Sequence, residues 1–160
     1  MQSPHPALAP LEFLIGTWRG RGRGGYPTIE PFEYIEQATY TPGPGKPFIA
    51  YYQKTRRSGG NGEPLHSEAG YIRPVGSGGA ELVISQPTGV VEVHTGQVAD
   101  GRIDFRTSLV GAAPTAVDVS RVYRSIQVTA ETMKYRLGME AVGQPLQVHL
   151  EAELTRLAGS

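Results

Sequence analysis

Gly16-Thr17-Trp18-Arg19-Gly20-Arg21-Gly22-Arg23-Gly24-Gly25-Tyr26-Pro27 is the most unusual stretch of the 160-residue chain. Residues two apart share one face of a strand. Trp18, Gly20 and Gly22 therefore fall on one face, and Arg19, Arg21 and Arg23 form a solvated row on the other. Glycines at alternate positions let a second backbone, or a flat ligand, approach closely. A phosphate-cradling loop needs a preceding strand, a following helix and a terminal Lys-Ser/Thr, and none of these is present. Alternating Arg and Gly would suit nucleic acid only on a basic chain. This one balances 15 basic against 15 acidic residues. The stretch is thus expected to be a strand entering a barrel, and neither nucleic acid nor an anionic membrane is expected as a partner.

Outward from this strand, Pro6–Ile15 has a crowded apolar face (Leu8, Leu11, Phe13, Leu14, Ile15), which predicts a short helix stopped by Gly16. Nearly everything downstream reads as strand and turn. Strands are expected over 28–41, 48–55, 65–73, 80–85, 90–98, 103–110, 116–126, 131–140 and 146–156. Turn signals such as Ser58–Gly62, Pro87-Thr-Gly89, Asp100-Gly101 and Gly143-Gln144 separate them. With 17–23 the total is ten. No long helix is available for a parallel crossover. The predicted fold is all-β, a ten-stranded antiparallel β-barrel with a short N-terminal helix, spanning 1–160 as a single domain. Closure would leave no bare sheet edge. The 21 glycines and 13 prolines agree with many turns.

The chain has no cysteine, which removes disulfides, thiolate nucleophiles and iron–sulfur clusters. The N-terminus lacks the basic and apolar regions of a secretion signal, and no window approaches a spanning helix, so a cytoplasmic location is expected. No Ser/His/Asp arrangement suggests a hydrolytic triad.

Four histidines remain: His5, His66, His94 and His149. The first three read as solvated or hydrogen-bonded residues, and a zinc site joining His66, His94 and His149 has no spacing to support it. Strict alternation sets Leu146, Val148, Leu150, Ala152 and Leu154 on one face of the last strand. His149 then falls on the other, with Gln147, Glu151 and Glu153. Burial alone would turn the leucines inward and His149 to solvent. Leucines packed outside under the helix, a bulge or a partly polar interior would each reverse this.

Gly-x-Trp-x-Gly-x-Gly at Gly16, Trp18, Gly20 and Gly22, followed by Tyr26-Pro-Thr-Ile29, resembles the nitrobindin signature. The similarity extends to Pro31–Tyr34, His66–Arg73, Thr88–Val93 and Gln144–His149, nearly the whole chain. The resemblance implies a ten-stranded barrel holding one haem b (heme b) at its open end. It implies His149 as the axial iron ligand and catalytic centre, and contact of Thr28 with the haem. It further implies a ferric iron that binds nitric oxide and isomerises peroxynitrite to nitrate, in a monomer or homodimer. Gln147 and Glu151 are candidates to influence His149. Met133, Tyr135, Leu137 and Met139 suit a pocket wall. Tyr26, Tyr34, Tyr51 and Tyr123 read as barrel residues whose hydroxyls reach a partner. The competing reading is a lipocalin-like carrier of an apolar small molecule without redox chemistry, which would not need His149.

Overall fold

The computed structural model describes residues 3–159. After a 3₁₀ helix, Pro6–Leu14, it has ten strands: β1 (Gly16–Tyr26), β2 (Ile29–Pro42), β3 (Ile49–Arg57), β4 (Pro64–Val75), β5 (Gly79–Ser85), β6 (Val90–Ala99), β7 (Arg102–Ala112), β8 (Val119–Thr129), β9 (Thr132–Ala141) and β10 (Gln144–Arg156). Each pairs antiparallel with its sequence neighbours, and β1 pairs with β10 to close the barrel. The expected ten-stranded barrel is therefore what the chain forms. Closure depends on the glycines of β1. A Cβ on Gly20 would lie 2.0 Å from the Glu153 carbonyl oxygen of β10, and one on Gly22 would lie 2.2 Å from the Tyr34 ring.

Two local expectations are corrected. Gly16 does not end the helix. Ile15 caps it, and Gly16, at φ 131°, opens β1. The last hairpin turns on Val142-Gly143, both at positive φ, one residue before the Gly-Gln pair.

The helix closes one end of the barrel. Leu8, Leu11 and Leu14 are fully buried beside Trp18, Ile49, Ile72, Met133 and Leu154. Burying each leucine stabilises the fold by roughly 1.5–3 kcal/mol. Trp18 Nε1 donates to the Leu14 carbonyl at 2.8 Å. The Arg156 guanidinium stacks 4.1 Å over the Trp18 ring and donates to the carbonyls of Phe13 and Ile15. Trp18 is thus a latch at the closed end. The opposite end remains open.

Candidate functional site

The open end leads into a cavity of about 540 Å³. Its upper wall is apolar: Phe32, Leu65, Leu137, Met139 and Leu150. His149 lies among them, because β10 does not alternate strictly. Val148 pairs with Gly138 and Leu150 with Leu137, so His149 is an extra residue against β9. This β-bulge switches the parity of the strand. Below it, Leu150, Ala152 and Leu154 point inward. Above it, Val148 and Leu146 are exposed, at 44% and 36%. His149 and Leu150 both line the cavity. The single leucine face expected from alternation is therefore two half-faces.

The imidazole is oriented. Its Nδ1 sits 3.0 Å from the Gly25 carbonyl, to which it donates, so the lone pair is on Nε2. The rings of Tyr26 and Phe32 meet it edge-on, with centroids 5.5 and 6.5 Å away. Tyr26 is itself tied down: its hydroxyl accepts from Ala141 N at 3.0 Å and donates to the Met139 carbonyl at 3.0 Å. Burial holds the His149 pKa below its ordinary value, against the opposing Gly25 hydrogen bond, and the nearby His66 lowers it further. The ring is neutral at pH 7, the form that ligates a metal.

Thr28 lies in the β1–β2 turn and is exposed, one residue before the cavity-lining Ile29. Glu151 is not beside His149. It follows the bulge on the outer face, with Arg23 at 2.9 Å and Arg136 at 2.7 Å. Gln147 donates to the Pro145 carbonyl at 3.0 Å. Met133 is in the core of the closed end, whereas Tyr135, Leu137 and Met139 line the cavity.

The floor of the cavity is charged, which the sequence reading missed. Arg124 on β8 donates to Glu68 of β4 at 2.5 and 3.1 Å, and to Glu92 of β6 at 3.0 Å. Tyr51 donates to Glu68 at 2.7 Å, and His66 Nε2 lies 3.4 Å from it. His94, fully buried, meets Glu92 at 2.8 Å. Burial opposes ionisation of Glu68 and Glu92, but the guanidinium and histidine contacts prevail and hold both carboxyls below the usual range. Glu36 on β2 differs. It is 3% exposed and accepts from the Tyr135 hydroxyl at 2.5 Å, which in turn meets the Tyr34 hydroxyl at 2.7 Å. Burial pushes its pKa up to about 7. A signal was available: Glu36, Glu92 and Arg124 each sit two residues, and Glu68 four, from a buried inward position, namely Tyr34, Val90, Val122 and Ile72. Among the described residues, no group of three or more His, Asp or Glu side chains could hold a metal ion. A metal bound through protein side chains alone has no cage here, whereas a ring-held metal needing one imidazole fits His149.

Residues 7–156 match the family model described as the THAP4-like, heme-binding beta-barrel domain. A protein of Mycobacterium avium named peroxynitrite isomerase 2 is 47% identical over 156 residues, covering 95% of this chain and 96% of that protein. Peroxynitrite isomerase 1 of Mycobacterium tuberculosis is 45% identical over 158 residues, 94% of this chain and 95% of that protein. Among solved structures, Rv2717c from M. tuberculosis superposes with a TM-score of 0.89 at 44% identity, covering 97% of this chain and 99% of that one. A phycobiliprotein lyase from Guillardia theta, at 13% identity and a TM-score of 0.65 (93% and 91% covered), shares the fold alone.

Proposed function

The chain belongs to the THAP4-like, heme-binding beta-barrel family, and from that premise we propose that it is a haem-dependent peroxynitrite isomerase that also binds nitric oxide. One haem b per chain would sit in the open end, its iron ligated by Nε2 of His149. The observation that carries this reading is the neutral, Gly25-oriented imidazole of His149, turned into an apolar cavity by the β10 bulge. When bound, ferric haem would supply a Lewis-acidic iron able to take a small oxyanion or diatomic.

The chain's own residues then have defined tasks. The Gly25 carbonyl fixes the His149 tautomer and makes the ring a better donor. Tyr26 and Phe32 hold the ring plane. Phe32, Leu65, Leu137, Met139 and Leu150 supply an apolar surface for a flat macrocycle and exclude water from one side of it. Thr28, in the rim turn, would contact the edge of the ring. Gly16, Trp18, Gly20 and Gly22 act at a distance: they close β1 on β10 and so fix where the bulge stands.

Stopped-flow decay of peroxynitrite with product analysis tests the assignment. The hemin-loaded protein is expected to accelerate decay and raise the nitrate-to-nitrite ratio. The hemin-free protein and His149→Ala treated identically are expected to do neither. Equal nitrate yields from all three would remove the isomerase reading. A carrier of apolar molecules would use the same cavity, and its ligand would survive His149→Ala.

A further inference from the structure

The mouth and the floor of the cavity are different chemical environments. Along β2, Phe32 lines the mouth and Glu36 the floor. Four residues of strand separate them, about 13 Å at the usual rise. The floor contains three carboxyl groups, Glu36, Glu68 and Glu92, and one guanidinium, Arg124. Arg124 is already shared between Glu68 and Glu92. Glu36 has no ion pair among the described residues. Beside it, Gln53 is 4% exposed, lines the same cavity, and has a side-chain oxygen with no hydrogen-bond partner. Its amide faces Glu36 and favours the charged form.

An unpaired carboxyl and an orphaned carbonyl oxygen are both acceptors. The Gln53 oxygen is buried without a donor and the Glu36 carboxyl without a cation, and a guest that is both donor and cation relieves both. We propose that the floor of the barrel is a second ligand site, below the mouth in the same cavity, which takes an amphiphilic amine: its ammonium on Glu36 and Gln53, its apolar body against Val122 and Ile126. A carboxylate guest of the same size is disfavoured, because the one guanidinium is engaged and Glu36 repels it. Arg124 Nε is also unpartnered. It is a donor, and it accommodates a hydroxyl or ether oxygen on the guest.

The groups that face Glu36 set its proton affinity. Tyr135 of β9, Gln53 of β3 and Arg124 of β8 favour the charged form, while Glu68 of β4, itself beside His66, opposes it. Tyr34 of β2 reaches it through Tyr135, and Tyr40 and Tyr51 lie in the same interior. An ammonium arriving at Glu36 displaces the carboxyl proton. Binding near pH 7 therefore releases a proton to solvent, with no other bond made or broken.

Isothermal titration calorimetry on the hemin-free protein tests this with n-octylamine, n-octanol and octanoate, at pH 8 and again at pH 7 in two buffers of different ionisation enthalpy. A charge-assisted hydrogen bond contributes roughly 1.5–3 kcal/mol, so the amine is expected to bind about tenfold or more tighter than either competitor. Proton release is expected at pH 7. Glu36→Gln should remove both the preference and the proton release, and Gln53→Met should weaken the amine with the carboxyl still present. Octanoate or octanol binding as tightly as the amine would overturn the proposal, as would an amine affinity unchanged in Glu36→Gln. No step uses haem, so failure here leaves the His149 reading standing, and failure of that reading leaves this one testable.

Discussion

Glu36 and His149 show how burial sets the chemistry of single residues in this barrel. Both lose solvation, and both are pushed toward their neutral forms, the histidine downward and the carboxyl up to about 7. For the histidine the result is a free lone pair. For the glutamate it is a dependence of stability on pH, whose sign follows from linkage. The folded state holds the proton up to about pH 7, while the unfolded chain releases it near 4.5. Stability from this group is therefore full below pH 4.5 and is lost as pH rises toward 7. Glu36→Gln, which cannot ionise, is expected to match wild type near pH 4.5 and to gain about 3 kcal/mol on it by pH 8. Urea unfolding at both pH values checks this, and a constant difference between the two proteins would contradict it.

At the scale of elements, the alternating pattern makes nine strands readable within a few residues, and it sets the glycine row of β1 on the face of Trp18, opposite the exposed arginines, as the structure has it. The tenth strand was legible in position but not in orientation. Alternation assigns Leu146 through Leu154 to one side, and no residue of Gln144–Arg156 announces that His149 is extra. The bulge is set across the ladder, where Gly138 pairs with Val148 while the Tyr123 ring lies over Gly138 on the outside. That is long-range information. It was supplied in the sequence only through resemblance to a family, which reversed the local reading of His149. Paired substitutions separate the two arrangements. Val148→Lys, on the outer half-face, is expected to change stability by no more than about 0.5 kcal/mol. Leu150→Lys, facing the core beyond the bulge, is expected to cost about 2 kcal/mol or more. Equal effects, measured by denaturant midpoint, would mean that β10 alternates without a break.

Across the whole molecule, the barrel has two ends with different roles and a charged layer between them. The closed end is held by the helix, Trp18 and Arg156. The middle is tied by Arg124, which joins β8 to β4 and β6 across the interior. Composition hid this layer, because a balanced net charge says nothing about which charges are inside. Arg124→Met leaves Glu68 and Glu92 buried without a cation and is expected to destabilise by about 3–5 kcal/mol. Adding Glu68→Gln and Glu92→Gln should recover most of that loss, as read from urea midpoints. A loss that the triple variant does not recover would show that Arg124 acts through packing alone. The open end carries the central claim, that His149 is the axial ligand of a bound haem. Titration of the purified chain with hemin, followed by absorption beside His149→Ala, tests it most directly. The account predicts a saturable one-to-one Soret band in wild type that is lost or shifted in the variant, and an unchanged spectrum in His149→Ala would contradict it.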